Sequence, residues 1–130
     1  MNFYRQGKKL DYAQVIETLN VLIKQDILTQ LEDQEIGKLF VRLFESTQEA
    51  ITVYMEKIEY RIINIRQSFV TLKQLNKISD YEVWEQAIRL YERIIEGEGK
   101  RDEIVAFMKE RLLGAMIDLK NNLKIENSYS

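Results

Sequence analysis

Residues 54–69 read YMEKIEYRIINIRQSF. Tyr54, Met55, Ile58, Ile62, Ile65 and Phe69 recur at steps of three and four, the spacing of one apolar helix face. Two arginines interrupt the stretch, and neither has a carboxylate three or four residues away. Arg61 has Lys57, Ile58, Asn64 and Ile65 at those positions; Arg66 has Ile62, Ile63, Phe69 and Val70. An i,i+4 ion pair therefore explains neither of them. They must face water, a second helix or a partner.

Followed in both directions, the stripe is much longer. Ile36, Leu39, Phe40, Leu43, Phe44, Thr47 and Ile51 precede it, and Leu72 follows. Taken at face value this is one helix from about Asp33 to Leu75, beyond the 8–20 residues usual for a globular helix. Ser46 and Glu49 have the spacing of a capping box. The expectation is therefore either one bent helix or two helices meeting near Ser46.

The flanking segments have the same period. Asp11 with Gln14 forms a capping-box variant, and Tyr12, Val15, Ile16, Leu19, Leu22 and Ile23 follow as one face ending near Lys24. Residues 25–34 form a connection in which Ile27, Leu28 and Leu31 turn inward. Ser79 and Glu82 form another capping box ahead of Val83, Trp84, Ala87, Ile88, Tyr91, Ile94 and Ile95, and Gly97 and Gly99 supply the stop. A last helix begins near Asp102 with Ile104, Val105, Met108, Leu112, Ala115, Met116 and Leu119. Short loops between amphipathic helices favour antiparallel packing. The fold class is all-α, a bundle of four to five helices with one long central helix or helix pair. The chain divides into a basic lead-in at 1–10, a single helical domain at 11–123 and a polar tail at 124–130.

Composition agrees. The 130 residues contain no proline and only five glycines, which disfavours turn-rich β folds. Hydrophobic residues make up 45% and charged residues 31%, a globular balance. Without histidine or cysteine, the chain has no imidazole-dependent catalysis, no Cys/His zinc site and no disulfide. No nucleophile or acid–base set is legible, so neither an enzyme nor a cofactor is expected. No apolar run reaches the roughly 18–20 residues that span a bilayer, and no membrane partner is expected. A cytoplasmic location follows as an expectation.

Charge is unevenly placed. From Glu32 to Glu59 there are seven acids and the bases Lys38, Arg42 and Lys57; from Arg61 to Lys77 there are Arg61, Arg66, Lys73 and Lys77 and no acid. Macrodipole complementation acts within the last turn of a helix, so it suits Lys73 and Lys77 better than the arginines. The alternatives are a basic patch for an acidic partner or a nucleic-acid backbone, or interhelical bridges to Glu82, Glu85 or Glu92. Arg66 is surrounded by apolar positions, which assigns it the structural role, and Arg61 the exposed one. The candidate interaction residues are Arg61, Arg66, Lys73, Lys77, Tyr54 and Tyr81, with Phe69 and Trp84 as interface or core aromatics. In 97–101, Gly97, Gly99, Lys100 and Arg101 lack the Walker pattern and read as a connector.

The stretches EYRIINIRQSF at 59–69 and LNKISDYEVWEQAIRLYERI at 75–94 resemble the helical domain of GINS complex subunits. Arg61, Ile62, Ile65, Arg66 and Phe69 occupy the Arg- and Ile-rich part of that pattern. Ser79, Glu82, Trp84 and Tyr91 occupy the following helix, and residues 22–40 are similar more loosely. The resemblance covers about half the chain. It implies a non-enzymatic subunit of a replicative helicase complex, with other GINS-type subunits, the MCM helicase and a DHH-phosphoesterase-like protein as partners. GINS subunits commonly add a small β-rich domain, and residues 96–130 contain no strand pattern. The expected function is a non-catalytic helical protein-interaction subunit, GINS-like by resemblance. The alternatives are a small nucleic-acid-associated protein using 61–77, or a helical homodimeric adaptor of unknown, including viral, origin.

Overall fold

The computed structural model describes residues 11–124, together with the backbone of two short segments before them. Those segments, β1 (Tyr4–Arg5) and β2 (Lys8–Lys9), pair antiparallel with Tyr4 opposite Lys9 and Arg5 opposite Lys8. The rest of the lead-in and positions 125–130 of the polar tail lie outside the described residues.

The remainder is helical, as the periodicity predicts. Helix α1 (Tyr12–Lys24) opens on the expected capping box. The Asp11 carboxylate accepts from Gln14 N at 2.8 Å, and Gln14 Oε1 accepts from Asp11 N at 3.1 Å. A single 3₁₀ turn at Leu28–Gln30 follows, with Leu28 fully buried and Ile27 and Leu31 half-buried. Helix α2 (Asp33–Lys57) is the long central helix, about 37 Å at 1.5 Å per residue. Then come α3 (Ile65–Gln74), α4 (Tyr81–Ile95), α5 (Arg101–Phe107) and α6 (Leu113–Asn122). A π-helical turn at Met108–Leu112 joins α5 to α6, so the described residues form five helical rods. The π turn has no signature in the apolar spacing.

The centre of the bundle is α2, which packs against α1, α4 and α5, while α3 packs on α4 and α1 on α6. Ile36, Phe40, Leu43, Phe44, Ile51 and Met55 of α2 are buried. Phe44 meets Tyr91 of α4 with ring centroids 4.7 Å apart, and Phe40 meets Phe107 of α5 at 6.1 Å. Across α1 and α2, the Tyr12 hydroxyl and Thr47 Oγ1 lie 2.9 Å apart, and Thr47 Oγ1 also donates to the Leu43 carbonyl at 3.0 Å. Burial pushes the Tyr12 phenol well above its ordinary pKa, so it stays neutral and can keep donating.

Two boundaries differ from expectation. The central helix runs unbroken through Ser46 and ends at Ile58, so the helix pair meets at 58–64 and not near Ser46. Arg61 to Asn64, expected to be helical, form an irregular connection. The cause is the depth of the core. Met55 is the last buried residue of α2. A straight helix would carry Phe69 about 21 Å beyond Met55. After the break, α3 instead lies against α4, where Phe69 stacks on Trp84 at 5.0 Å with an interplanar angle of 15°. The second difference is at α4. Its N-cap is Asp80, which makes no side-chain capping bond, and Ser79 stands one residue outside.

A repeated device ends the helices. Each of Asp26, Glu59, Asn76, Gly97 and Lys124 has a positive φ just past a helix end. After α2, Glu59 N donates to Glu56 O at 3.1 Å and Tyr60 N to Met55 O at 2.8 Å, the paired bonds of a Schellman motif. Only after α4 is the left-handed residue the expected glycine, Gly97. Gly99 is required for a different reason, since a Cβ there would lie 2.7 Å from Ile94 Cγ1.

Candidate interaction surface

The connection between α2 and α3 is built from both ends. On the α2 side the Schellman bonds turn the chain out of the helix. On the α3 side Asn64 is extended, and its side-chain oxygen accepts from Gln67 N at 2.9 Å. That cap starts α3 at Ile65. Between these anchors, Ile62 and Ile65 pack against the core while Ile63 points out.

Exposed apolar side chains are frequent in this part of the sequence. Ile63 is 78% exposed, Val53 49%, Tyr60 45% and Ile58 40%. These are four of the eight large apolar residues exposed among the described residues, gathered within positions 53–63. Ile58 belongs to the expected buried stripe, and its exposure corrects that expectation. It lies at the C-cap of α2, one helical turn past Met55, where the core has ended.

The two arginines divide as expected, though not for the expected reason, since Ile62 and Ile63 are outside the helix and do not flank Arg66 on its surface. Arg66 crosses from α3 to α4, where Nη2 donates to Glu92 Oε1 at 2.9 Å and Nη1 to Oε2 at 3.4 Å. Glu85 lies 3.6 Å from the same guanidinium, while Glu82 takes no part. The Arg66 hydrogen bond holds the Glu92 carboxyl below its ordinary range. The Arg66 side chain is 44% exposed, so this bridge lies at the surface and is not a buried pair. Arg61 sits in the exposed connection, with no carboxylate of the described residues at ion-pair distance.

The other candidates are dispersed. Lys73 is exposed near the end of α3. Lys77 is half-buried, and its backbone is used structurally: its N–H donates to Leu72 O at 2.8 Å and its carbonyl accepts from Asn122 Nδ2 at 2.8 Å. Arg61 and Lys73 flank α3 at opposite ends, about 15 Å of helix apart. Tyr54 is half-buried against the core. Tyr81 is half-buried too, and its hydroxyl donates to Glu85 Oε2 at 3.3 Å. Partial burial, then the Glu85 charge, raises its phenol pKa. Phe69 and Trp84 are core residues and offer no stacking surface.

The sequence reading missed Val53, Ile58 and Ile63 as a group. The available signal was Asn64 with Gln67 three positions on, the same spacing as Asp11 with Gln14. It marks a helix start at Ile65 and thereby breaks the continuous helical stripe across 58–63. Among the described residues no helix is long and apolar enough to cross a membrane, and no group of three or more carboxylates could hold a metal ion. No protein-family model matches the chain, and no curated protein or solved structure matches it either.

Proposed function

We propose that this protein is a non-catalytic helical interaction subunit that docks through the corner at 53–63. The observation that carries the reading is the run of exposed apolar residues Ile58, Tyr60 and Ile63 along the one connection between α2 and α3. Apolar side chains grouped at the surface mark association sites more often than scattered ones do. Tyr and Arg are enriched among the residues that dominate binding energy, and Tyr60 and Arg61 lie within the segment. The resemblance of 59–69 and 75–94 to GINS subunits supports a finer reading, a component of a replicative helicase complex. Arg61, at the head of that pattern, falls on the exposed corner, whereas Arg66 is committed to α4.

The test is native mass spectrometry of the tagged chain purified from its own cells. The parent is expected in a defined complex, and Tyr60→Asp with Ile63→Asp is expected to release it. Lys73→Gln, at the far end of α3, is expected to leave the complex intact. A complex indifferent to 60 and 63 moves the interface elsewhere. A chain that is free in every preparation removes the interaction reading.

A further inference from the structure

We infer that the connection at 58–64 is a hinge, at which α2 and α3 join into one helix when two copies of the chain exchange α3–α6. Three features of the segment point to it. The apolar steps Met55, Ile58, Ile62, Ile65, Phe69 and Leu72 alternate three and four straight through the connection. Positions 58–64 contain neither glycine nor proline, so their composition is compatible with a helix. The bend itself is held by Glu59, at a φ of 56°. At the other connections between helices the residues with positive φ are Asp26, Asn76 and Gly97. Glycine carries no steric cost there, and Asp and Asn have short side chains that bond locally; glutamate has neither advantage. Of these bends, the one after α2 is thus built on the residue best suited to a helix.

Straightening cannot occur in one chain alone. The Phe69–Trp84 stack and the Arg66–Glu92 bridge tie α3 to α4, so α3–α6 would leave α1 and α2 as a unit. That would uncover Phe40, Phe44 and Ile51, each 1% exposed or less. A second copy opened in the same way restores the cover with the same residues. Its Tyr91 and Phe107 meet Phe44 and Phe40, and its α6 packs on α1. The contacts between the two halves are kept, and the hinge alone changes, which is why exchange of an identical element is a low-cost route to a dimer. In the joined form Glu59 leaves the left-handed region, and residues 58–64 gain helical backbone bonds. The exchange requires no docking at Ile58, Tyr60 or Ile63, so it stands apart from the interaction reading above.

The experiment unfolds the purified chain in urea, refolds it at low and at high protein concentration, and separates the products by size with light scattering. Part of the parent is expected to return as a dimer at high concentration. Glu59→Gly eases the bend and weakens the joined helix, and is expected to lower the dimer yield by about tenfold or more. Asn64→Ala removes the α3 cap and adds a helix former, and is expected to raise it. Hydrogen exchange of the unmodified parent adds a readout without mutation. The amides of residues 61–64, irregular in the closed chain, are expected to gain protection in the dimer fraction alone. A cysteine pair distinguishes exchange from surface docking, since the chain has no cysteine of its own. A Cβ at Gly37 would lie 3.3 Å from Ile94 Cγ2, so G37C/I94C brings the two halves within reach of a disulfide. In the exchanged dimer the oxidised pair is expected to join two copies covalently; in the monomer it closes within one. A parent that returns only as monomer at every concentration, a dimer whose cysteines close within each chain, or a dimer as abundant in Glu59→Gly as in the parent overturns the inference. A monomer in isolation whose complex in cells still depends on Tyr60 and Ile63 overturns the exchange alone and leaves the interaction reading standing.

Discussion

Two places in the molecule have nearly the same local sequence logic and opposite outcomes. At Ser46 the chain shows a helix-start pattern, Ser followed three residues later by Glu, yet α2 continues without interruption. At 58–64 the apolar period continues without a flaw, yet the helix stops. The difference is what lies alongside. Ser46 is followed by Thr47, buried against Tyr12 of α1, and then by Ile51 and Met55 in the core. A cap there would break a buried face. Past Met55 the cover thins, with Ile58 already 40% exposed, so continuing the helix gains little burial. Capping chemistry is worth about 1 kcal/mol, whereas a fully buried apolar side chain is worth roughly 1.5–3. Burial prevails at Ser46, and the turn at Glu59 prevails where burial runs out.

The largest expected difference between the two regions is in stability. Ile51→Ala, in the buried part of α2, should cost about 2–5 kcal/mol. Ile63→Ala, at the exposed corner, should stay within about 0.5 kcal/mol. Urea unfolding of the monomer measures both, and comparable losses would mean that the corner belongs to the core after all.

A smaller contrast isolates the caps. Asn64→Ala removes the bond to Gln67 N and should cost about 1 kcal/mol. Ser46→Ala, in a helix interior that favours alanine, should shift stability by less than about 0.5 kcal/mol. If Ser46→Ala were the costlier change, the hydroxyl would have a capping or bonding role that the continuous helix does not provide.

The arginines should differ least, because an ion pair at the surface is worth little. Arg66→Ala is expected to destabilise the monomer slightly, and Arg61→Ala not at all. The pH dependence carries a sign. Glu92 has a depressed pKa in the folded state, so its contribution is complete above the ordinary carboxylate value of about 4.3 and is lost as pH falls through the folded value. The gap between Arg66→Ala and the parent should therefore close in acid. A gap that persists below that range would assign Arg66 a packing role independent of Glu92.

Much of this was open to sequence reading. The α1 cap, the inward turn of Leu28, the stop at Gly97 and most of the faces of α4 and α6 follow from spacing and residue chemistry that act within a turn or two; on α4 the expected Ile95 is 61% exposed and Leu90 is buried in its stead. Arg66 does bridge to α4 and Arg61 does face solvent, but the helical neighbours that suggested it, Ile62 and Ile63, lie in the irregular connection. The bridge partners were only narrowed, since choosing Glu92 and Glu85 over Glu82 depends on how α3 lies on α4.

By itself, then, the sequence determined the helical class, most helix starts and stops, and which stripes are apolar. Tertiary structure alone decided how far the core reaches. Periodicity reports which side of a helix is apolar, but a hydrophobic stripe is indifferent to whether another helix stands beside it. That is why Ile58 and Ile51 look alike in the sequence and differ in the fold. Ile51 is fully buried among the neighbours of α2, whereas Ile58, at its C-cap, is 40% exposed. Ile58 is exposed because α2 outruns the core there, while Ile62 and Ile65 regain it only through the break that redirects the chain.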